Sequence, residues 1–246
     1  MKFAKQPEGG PEIFHTIQGE GRTIGEPAVF ARLSGCNLQC KWCDTPYTWN
    51  WIGTDYVHDD DVKYDPEAEQ LQLTIGEAVD QITGYPCKRV VITGGEPMQQ
   101  QRDIAELIDG LRAEDPNFWV EIETNGTISP KPNLIDKVNQ FNVSPKLSNS
   151  NNEFKRRIRD HAMTTFARMH NADFKFVVYG DEDLPEILEL IERFNIPPER
   201  VFLMPEGRDE ETVSRRQIEL VEVAKANNFN LTTRLQVLIW GAKRGV

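Results

Sequence analysis

Residues 27–43 read PAVFARLSGCNLQCKWC, an apolar run that leads directly into three closely spaced cysteines. The run Pro27–Leu33 predicts a buried strand, because a short continuous apolar segment fits the interior of a parallel sheet. Cys36, Cys40 and Cys43 fall in the loop after it. They are an incomplete ligand set, since a structural zinc site or an ordinary cubane iron–sulfur cluster takes four protein ligands. Three thiolates can hold three corners of a cubane and leave one iron open for chemistry.

Beyond this loop, apolar strands alternate with helical segments about six times. The pattern implies a parallel sheet with right-handed crossovers. An eight-unit barrel usually needs about 250 residues or more. The chain has 246 residues, and those at about 52–73 form a polar, Asp-rich insertion or flexible loop. We therefore predict one α/β domain over 1–246, a partial TIM-like barrel of about six parallel strands. Strands are predicted at 27–33, 88–93, 118–124, 140–144, 174–179, 201–204 and 231–239; helices are predicted from Thr74 and at 102–113, 152–171, 183–194 and 210–228.

The charge balance restricts the partners of the chain. There are 28 basic and 39 acidic side chains, which give a formal net charge of −11. This argues against broad binding to nucleic acid or to an anionic membrane, where positive charge supplies the affinity. No apolar run approaches the roughly 20 residues of a membrane-spanning helix, and the first residues lack the apolar core of a signal peptide. We expect a cytoplasmic protein whose cysteines are metal ligands or free thiols.

A zinc ribbon is the simplest alternative for the cysteine loop. It needs a second pair of ligands, and the only other cysteine, Cys87, begins a strand. The four histidines show no ligand spacing. We interpret Cys87 as a structural thiol, because free cysteine is commonly buried.

The cysteine spacing, Cys-x3-Cys-x2-Cys with Trp42 before the third cysteine, resembles the signature of the radical S-adenosylmethionine enzymes. Gly94-Gly95-Glu96-Pro97, after the next strand, resembles their motif for the methionine amino group. The resemblance implies a 4Fe-4S cluster on the three loop cysteines, with S-adenosylmethionine on its open iron. It also implies that an electron from a flavodoxin-like or ferredoxin-like partner cleaves this cofactor to a 5'-deoxyadenosyl radical, which abstracts hydrogen from a substrate.

Further segments resemble the family of 7-carboxy-7-deazaguanine synthases, from about Glu12 to the C-terminus. This resemblance implies a homodimeric carbon–nitrogen lyase of the 7-deazapurine (queuosine) pathway. The reaction converts 6-carboxy-5,6,7,8-tetrahydropterin to 7-carboxy-7-deazaguanine with loss of ammonia, aided by magnesium. The segments are 14–21, 30–38, 43–47, 123–126, 144–146, 204–207 and 234–237.

The resemblance also implies roles for single residues, each with strand-end capping or a turn as the alternative. Gln18 could read a ring edge of the pterin, Arg32 could grip its carboxylate through two parallel bonds, and the Thr45 hydroxyl is a hard oxygen ligand for magnesium. Gln236 stands where the family often has histidine, so no imidazole role is carried over. The implied substrate contacts are Ile17, Gln18, Gly19, Arg32, Thr93 and Val246, and the implied S-adenosylmethionine contacts are Gly95, Glu96, Ser144, Pro145 and Lys146; Glu123 and Asn125 lie at the same edge.

Two other functions remain open at this point. Another radical enzyme, such as a glycyl-radical activase, would share the cysteine loop but should lack the segment Ile17–Gly21 and the pair Asp44–Thr45. A non-catalytic metal-binding scaffold would bind zinc and would not need Gly94–Pro97 or Ser144–Lys146.

Overall fold

Ten strands form one mixed sheet in the computed structural model, which describes all residues from 1 to 246. Their order across the sheet is β10-β9-β8-β7-β6-β5-β3-β1-β4, and β2 pairs with β3. The strands are β1 (Lys2–Ala4), β2 (Ile13–Ile17), β3 (Pro27–Leu33), β4 (Gln70–Gln72), β5 (Arg89–Gly94), β6 (Trp119–Thr124), β7 (Gln140–Val143), β8 (Ala172–Val178), β9 (Val201–Pro205) and β10 (Asn230–Leu231).

Nine helices connect the strands and flank the sheet. The Thr74 capping box is confirmed: Thr74 Oγ1 accepts the Glu77 backbone N–H (3.2 Å), and the Glu77 carboxylate accepts the Thr74 N–H (2.8 Å). None of the helices combines the length and apolar character needed to cross a membrane. The helices are α1 (Pro66–Glu69), α2 (Ile75–Thr83), α3 (Gln101–Glu114), α4 (Pro132–Ile135), α5 (Phe154–Arg157), α6 (Asp160–Arg168), α7 (Leu184–Phe194), α8 (Glu210–Asn227) and α9 (Leu235–Trp240).

The predicted parallel core is confirmed. Strands β3, β5, β6, β7, β8 and β9 pair in parallel, each with the next, and the short β10 adds to β9. Strands β1, β2 and β4 extend the sheet in antiparallel pairing. Strands β2, β4 and β10 each pair on one side only, so the sheet does not close into a full barrel. All carboxyl ends of the parallel strands therefore meet at one edge of the sheet.

Two predicted elements were wrong. The last strand, predicted at 231–239, ends at Leu231, and helix α9 begins at Leu235 after a three-residue loop. The apolar pattern of this run fits a strand as well as a helix. In the helix, the N–H of its first residue, Leu235, donates to the Gly19 carbonyl (2.9 Å). The helix predicted at 152–171 is two short helices, α5 and α6. It breaks at Ile158, whose backbone is extended while its side chain is buried in the core.

The polar segment 52–73 has more regular structure than the flexible loop we predicted. It contains α1, which Asp65 caps at its N-terminus, and β4, which pairs with β1. The small strands β1 and β2 were also missed, since each is too short to show a clear apolar period.

Candidate active site

A cavity of about 300 Å³ lies at the carboxyl ends of the parallel strands. This is the edge where open α/β sheets and barrels assemble their active sites. The three loop cysteines and the last six residues of the chain also line it. The residues on its wall at or near the ends of the six long parallel strands are Arg32, Thr93, Gly94, Glu123, Thr124, Ser144, Lys175, Val177 and Met204.

The loop cysteines have the chemistry of metal-cluster ligands. Burial raises the pKa of the Cys40 thiol to about 12, and it raises the pKa values of Cys36 and Cys43 above their ordinary value. A cation beside them would favour their thiolate form. Cys87 and the histidines do not line the cavity with them. Three thiols on one cavity wall suit a cluster that offers a separate iron to each.

Gly94 and Gly95 let β5 approach the start of the cysteine loop. A Cβ on Gly95 would lie 2.2 Å from the Gly35 carbonyl oxygen, and one on Gly94 would lie 2.0 Å from the Leu33 oxygen. The close approach allows the Gly95 N–H to bond the Leu33 carbonyl (3.1 Å). The glycine pair thus braces the loop while it lines the cavity.

Glu96 and Pro145 do not line the cavity. The Glu96 carboxylate is buried and accepts bonds from Thr124 Oγ1 (2.8 Å) and from the backbone N–H groups of Asn125 (2.7 Å) and Met98 (3.0 Å). Burial raises its pKa. Its carboxylate thus joins the ends of β5 and β6, and its contact with the cofactor stays a prediction.

The other predicted cofactor contacts reach the cavity. Lys146 Nζ donates to Ser144 Oγ (2.8 Å) and lies 5.6 Å from the centre of the Trp42 ring. The positive charge of Lys146 also lowers the pKa of Cys40 against the larger effect of burial. Ser144 and Lys146 therefore present a hydroxyl and a cation beside the cysteine loop.

Arg32 has part of its guanidinium free. Its Nε donates to Glu12 Oε1 (2.7 Å), the only hydrogen bond of its side chain, and its terminal nitrogens are not shut away from solvent. Burial alone would lower the pKa of Arg32, but Tyr47 and Glu12 raise it above its ordinary value. Glu12 Oε2 accepts Arg244 Nε (3.0 Å), which ties down the chain end that brings Val246 to the cavity.

Gln18 lies on the cavity, but its side-chain amide is engaged within the protein. Gln18 is 2% exposed, its Nε2 donates to Glu121 Oε1 (2.6 Å), and its Oε1 accepts the Glu20 backbone N–H (3.2 Å). Its neighbours Ile17 and Gly19 also line the cavity, so their backbone groups are available for the predicted ring-edge contact. A Cβ on Gly19 would lie 1.8 Å from Gln236 Oε1, a buried oxygen without a hydrogen-bond partner. Gln236 thus stands against the turn that carries these backbone groups.

Thr45 and Thr93 both line the cavity. The Thr45 hydroxyl lies 3.6 Å from Cys43 Sγ, its only hydrogen-bond contact. Thr93 lies near the end of β5, one residue before the glycine pair. The segment from Arg32 to Thr45 therefore places a cation, three thiols and a hydroxyl on one cavity.

A charged network that also lines the cavity was largely missed from the sequence. Lys175 Nζ donates to Glu20 Oε2 (2.6 Å) and Glu123 Oε2 (2.8 Å). Arg234 donates to Glu20 and to Asp44. Burial alone would raise the pKa of Glu20, but Lys175 and Arg234 lower it well below its ordinary value. The sequence signal for this network was Lys175, which lies within the apolar strand predicted at 174–179. A charge buried there must be paired with an opposite charge.

Glu121 is a buried carboxyl next to this network. Its ionisation should lower the free energy of unfolding as the pH rises. Burial, and then the charge of Glu123, raise the pKa of Glu121 to about 7. The folded state therefore binds this proton more tightly than the unfolded state. The stabilisation is complete below the unfolded pKa of about 4.5 and is lost as pH rises through about 7.

We expect Glu121→Gln to remove a pH-dependent stability loss on the order of 3 kcal/mol between pH 5 and 8. Urea unfolding of both proteins across this range measures it. Glu222→Gln, on the exposed face of α8, is the control. A constant difference between Glu121→Gln and the parent at every pH would contradict the assignment.

The sequence matches a known superfamily model, and full-length relatives are similar to it. Residues 32–194 match the Radical SAM superfamily. A 7-carboxy-7-deazaguanine synthase of Pyrobaculum aerophilum is 36% identical over 95% of both chains. One of Rhodopirellula baltica is 34% identical over 95% of this chain and 87% of its own.

A solved structure agrees with these relatives. The crystal structure of QueE from Escherichia coli superimposes with a TM-score of 0.62 at 26% identity. It covers 96% of this chain and 95% of its own.

Proposed function

Because the chain belongs to the 7-carboxy-7-deazaguanine synthase family of the radical S-adenosylmethionine superfamily, we propose that the cavity at its strand ends is the active site. The enzyme is a lyase that converts 6-carboxy-5,6,7,8-tetrahydropterin to 7-carboxy-7-deazaguanine with loss of ammonia. It uses a 4Fe-4S cluster, S-adenosylmethionine and magnesium. The observation that carries the proposal is the meeting of the three loop cysteines and the ends of six parallel strands on one cavity. The family membership sets aside the activase and the scaffold.

In this proposal one wall of the cavity holds the cofactors. Cys36, Cys40 and Cys43 hold the cluster, and the cluster and S-adenosylmethionine supply the organic radical that starts the reaction. The backbone at Gly95 and the polar groups of Ser144 and Lys146 orient S-adenosylmethionine beside the loop.

Other groups of the same cavity orient the substrate. The free terminal nitrogens of Arg32 take the pterin carboxylate in two parallel bonds, and the Thr45 hydroxyl would supply an oxygen ligand to magnesium. Backbone groups of Ile17 and Gly19, with Thr93, take the ring edge. Val246 lines the same cavity and is a further substrate contact.

The activity is tested with protein reconstituted anaerobically with iron and sulfide. Reductant, S-adenosylmethionine, magnesium and 6-carboxytetrahydropterin should yield 5'-deoxyadenosine and 7-carboxy-7-deazaguanine by mass spectrometry. Tetrahydropterin without the carboxylate should give no deazaguanine, because Arg32 and magnesium lose their partner. Deoxyadenosine without deazaguanine from the full substrate would contradict the substrate assignment.

We propose a flavodoxin-like or ferredoxin-like electron donor and a homodimer. A basic surface at Lys155, Arg156 and Arg159 favours an acidic donor, since these exposed cations lie beside the cysteine loop: Arg156 donates to the Asn37 carbonyl (3.0 Å). Reduction by such a donor should slow as salt is added, whereas reduction by dithionite should not.

Light scattering should give twice the mass of one chain, and a monomer would contradict the dimer.

A further inference from the structure

Each cysteine of the loop accepts a hydrogen bond at its sulfur from a different part of the chain. The Leu38 backbone N–H donates to Cys36 (3.4 Å), and Asn152 Nδ2 donates to Cys40 (3.4 Å). Trp49 Nε1 donates to Cys43 at 3.3 Å, the shortest of the three. Hydrogen bonds to ligand sulfurs are one of the means by which proteins set the reduction potential of iron–sulfur clusters. The reaction depends on electron entry at this point, so these donors matter to it.

Trp49 is held in this position by the polar segment 52–73. The indole is 3% exposed, and its nitrogen has no other hydrogen-bond partner. The ring centres of Tyr56 and His58 lie 5.9 Å and 6.0 Å from that of Trp49, with His58 edge-on. A segment that had no role in the function we proposed thus packs directly on a donor to the cluster loop.

His58 also fixes the cysteine loop itself. Its Nδ1 accepts the Asp60 backbone N–H (3.1 Å), so the proton of the neutral ring is on Nε2. Nε2 lies 2.8 Å from the Cys43 carbonyl oxygen and donates to it. The same histidine therefore packs against Trp49 and holds the backbone of Cys43.

One ion pair and the hydrogen bonds of Lys63 anchor the segment. Asp60 Oδ1 accepts Arg208 Nη1 (2.7 Å), which ties the segment to the loop after β9. Lys63 Nζ donates to Asn50 Oδ1 (2.8 Å) and to the Tyr56 carbonyl (2.5 Å). The segment is thus fastened both to the strand-end loops and to the residue next to Trp49.

We propose that Trp49 is a positioning residue that raises the reduction potential of the cluster through its bond to Cys43, and that residues 52–73 hold it there. The proposal rests on the assignment of the cluster to the three loop cysteines. Reduction adds negative charge to the cluster, and an N–H donor at a ligand sulfur stabilises that charge. The bond therefore favours acceptance of the electron.

The test is the midpoint potential of the reconstituted cluster in the full chain, from redox titration monitored by electron paramagnetic resonance. Trp49→Phe keeps an aromatic ring and removes the N–H, so the potential should become more negative at unchanged iron content. Trp42→Phe is the matched control, because Trp42 Nε1 donates to the Asn149 carbonyl (3.1 Å) and not to sulfur. Its potential should equal that of the parent.

Two further measurements keep the proposal falsifiable if Trp49→Phe takes up iron poorly. With 15N-labelled tryptophan, pulsed resonance on the reduced parent cluster should detect an indole nitrogen, and the signal should persist in Trp42→Phe. His58→Ala should shift the potential in the same direction as Trp49→Phe, by less.

An unchanged potential in Trp49→Phe, an equal shift in Trp42→Phe, or no nitrogen coupling would overturn the role of the N–H. An unchanged His58→Ala would overturn the role of the segment. A parent chain that binds no cluster would instead refute the proposed cluster ligands, so the two failures are distinguishable.

Discussion

Replacing Cys40 with alanine is expected to abolish both the iron–sulfur cluster and the activity of the reconstituted protein. Only two thiolates of the loop would remain, and the adjoining bond from Asn152 would lose its acceptor. The loss of activity should be on the order of 10³-fold or more, since enzymes accelerate reactions by at least about 10⁶-fold and this variant lacks the reactive group. Iron content, visible absorption and product formation measure the result.

Cys87→Ala is the matched control for this loss. Cys87 lies just before β5, at the amino end of the parallel sheet, and its thiol donates to the Pro27 carbonyl (3.4 Å). It does not line the cavity. The variant should bind as much iron as the parent. Equal loss of iron from Cys87→Ala, or a full cluster in Cys40→Ala, would show that the ligands are misassigned.

The parallel sheet was predictable because its strands are short runs rich in apolar residues, and a turn residue such as Gly, Pro or Asn follows each of them. The segment Lys88–Pro97 is typical: the structure has the strand at Arg89–Gly94 and the cavity beside Thr93. The site followed from the same pattern, because the carboxyl ends of parallel strands must share one edge. Local sequence was enough for both.

Elements fixed by distant contacts were not predictable. The run after Leu231 is apolar and partly β-branched, which fits a strand as well as a helix. Its helical form depends on Arg234, which bonds Glu20 and the Gly207 carbonyl, more than 25 positions away along the chain. The direction of the Gln18 side chain likewise depends on Glu121, a residue on another strand.

Glu96 shows that a motif does not fix the direction of a side chain. Gly94–Pro97 matched a cofactor motif, and a carboxylate there suggested a direct contact. The structure directs that carboxylate to Thr124 and to the Asn125 backbone, because three donors at the ends of β5 and β6 converge on it. A motif gives the place of a residue in the fold, and burial decides whether its side chain faces the ligand.

The second large effect expected is the destabilisation of the folded chain by Lys175→Met. Lys175 is 4% exposed and donates to both Glu20 and Glu123. Methionine fills the space but leaves these two carboxylates partly unpaired in a buried site. Breaking a buried ion pair from one side costs about 3–5 kcal/mol. Urea unfolding at pH 7 measures the loss.

The pH dependence of this loss separates charge from packing. Lys175 lowers the pKa of Glu20, so without it that pKa rises and the deficit should be smaller at pH 5 than at pH 7. A cavity or a misfit of methionine would cost the same at both pH values. Lys225→Met is the surface control: its ion pair with Glu222 is exposed, and its loss should cost less than about 1 kcal/mol. A deficit for Lys175→Met as small as that of Lys225→Met would mean that the cavity wall does not depend on this ion pair.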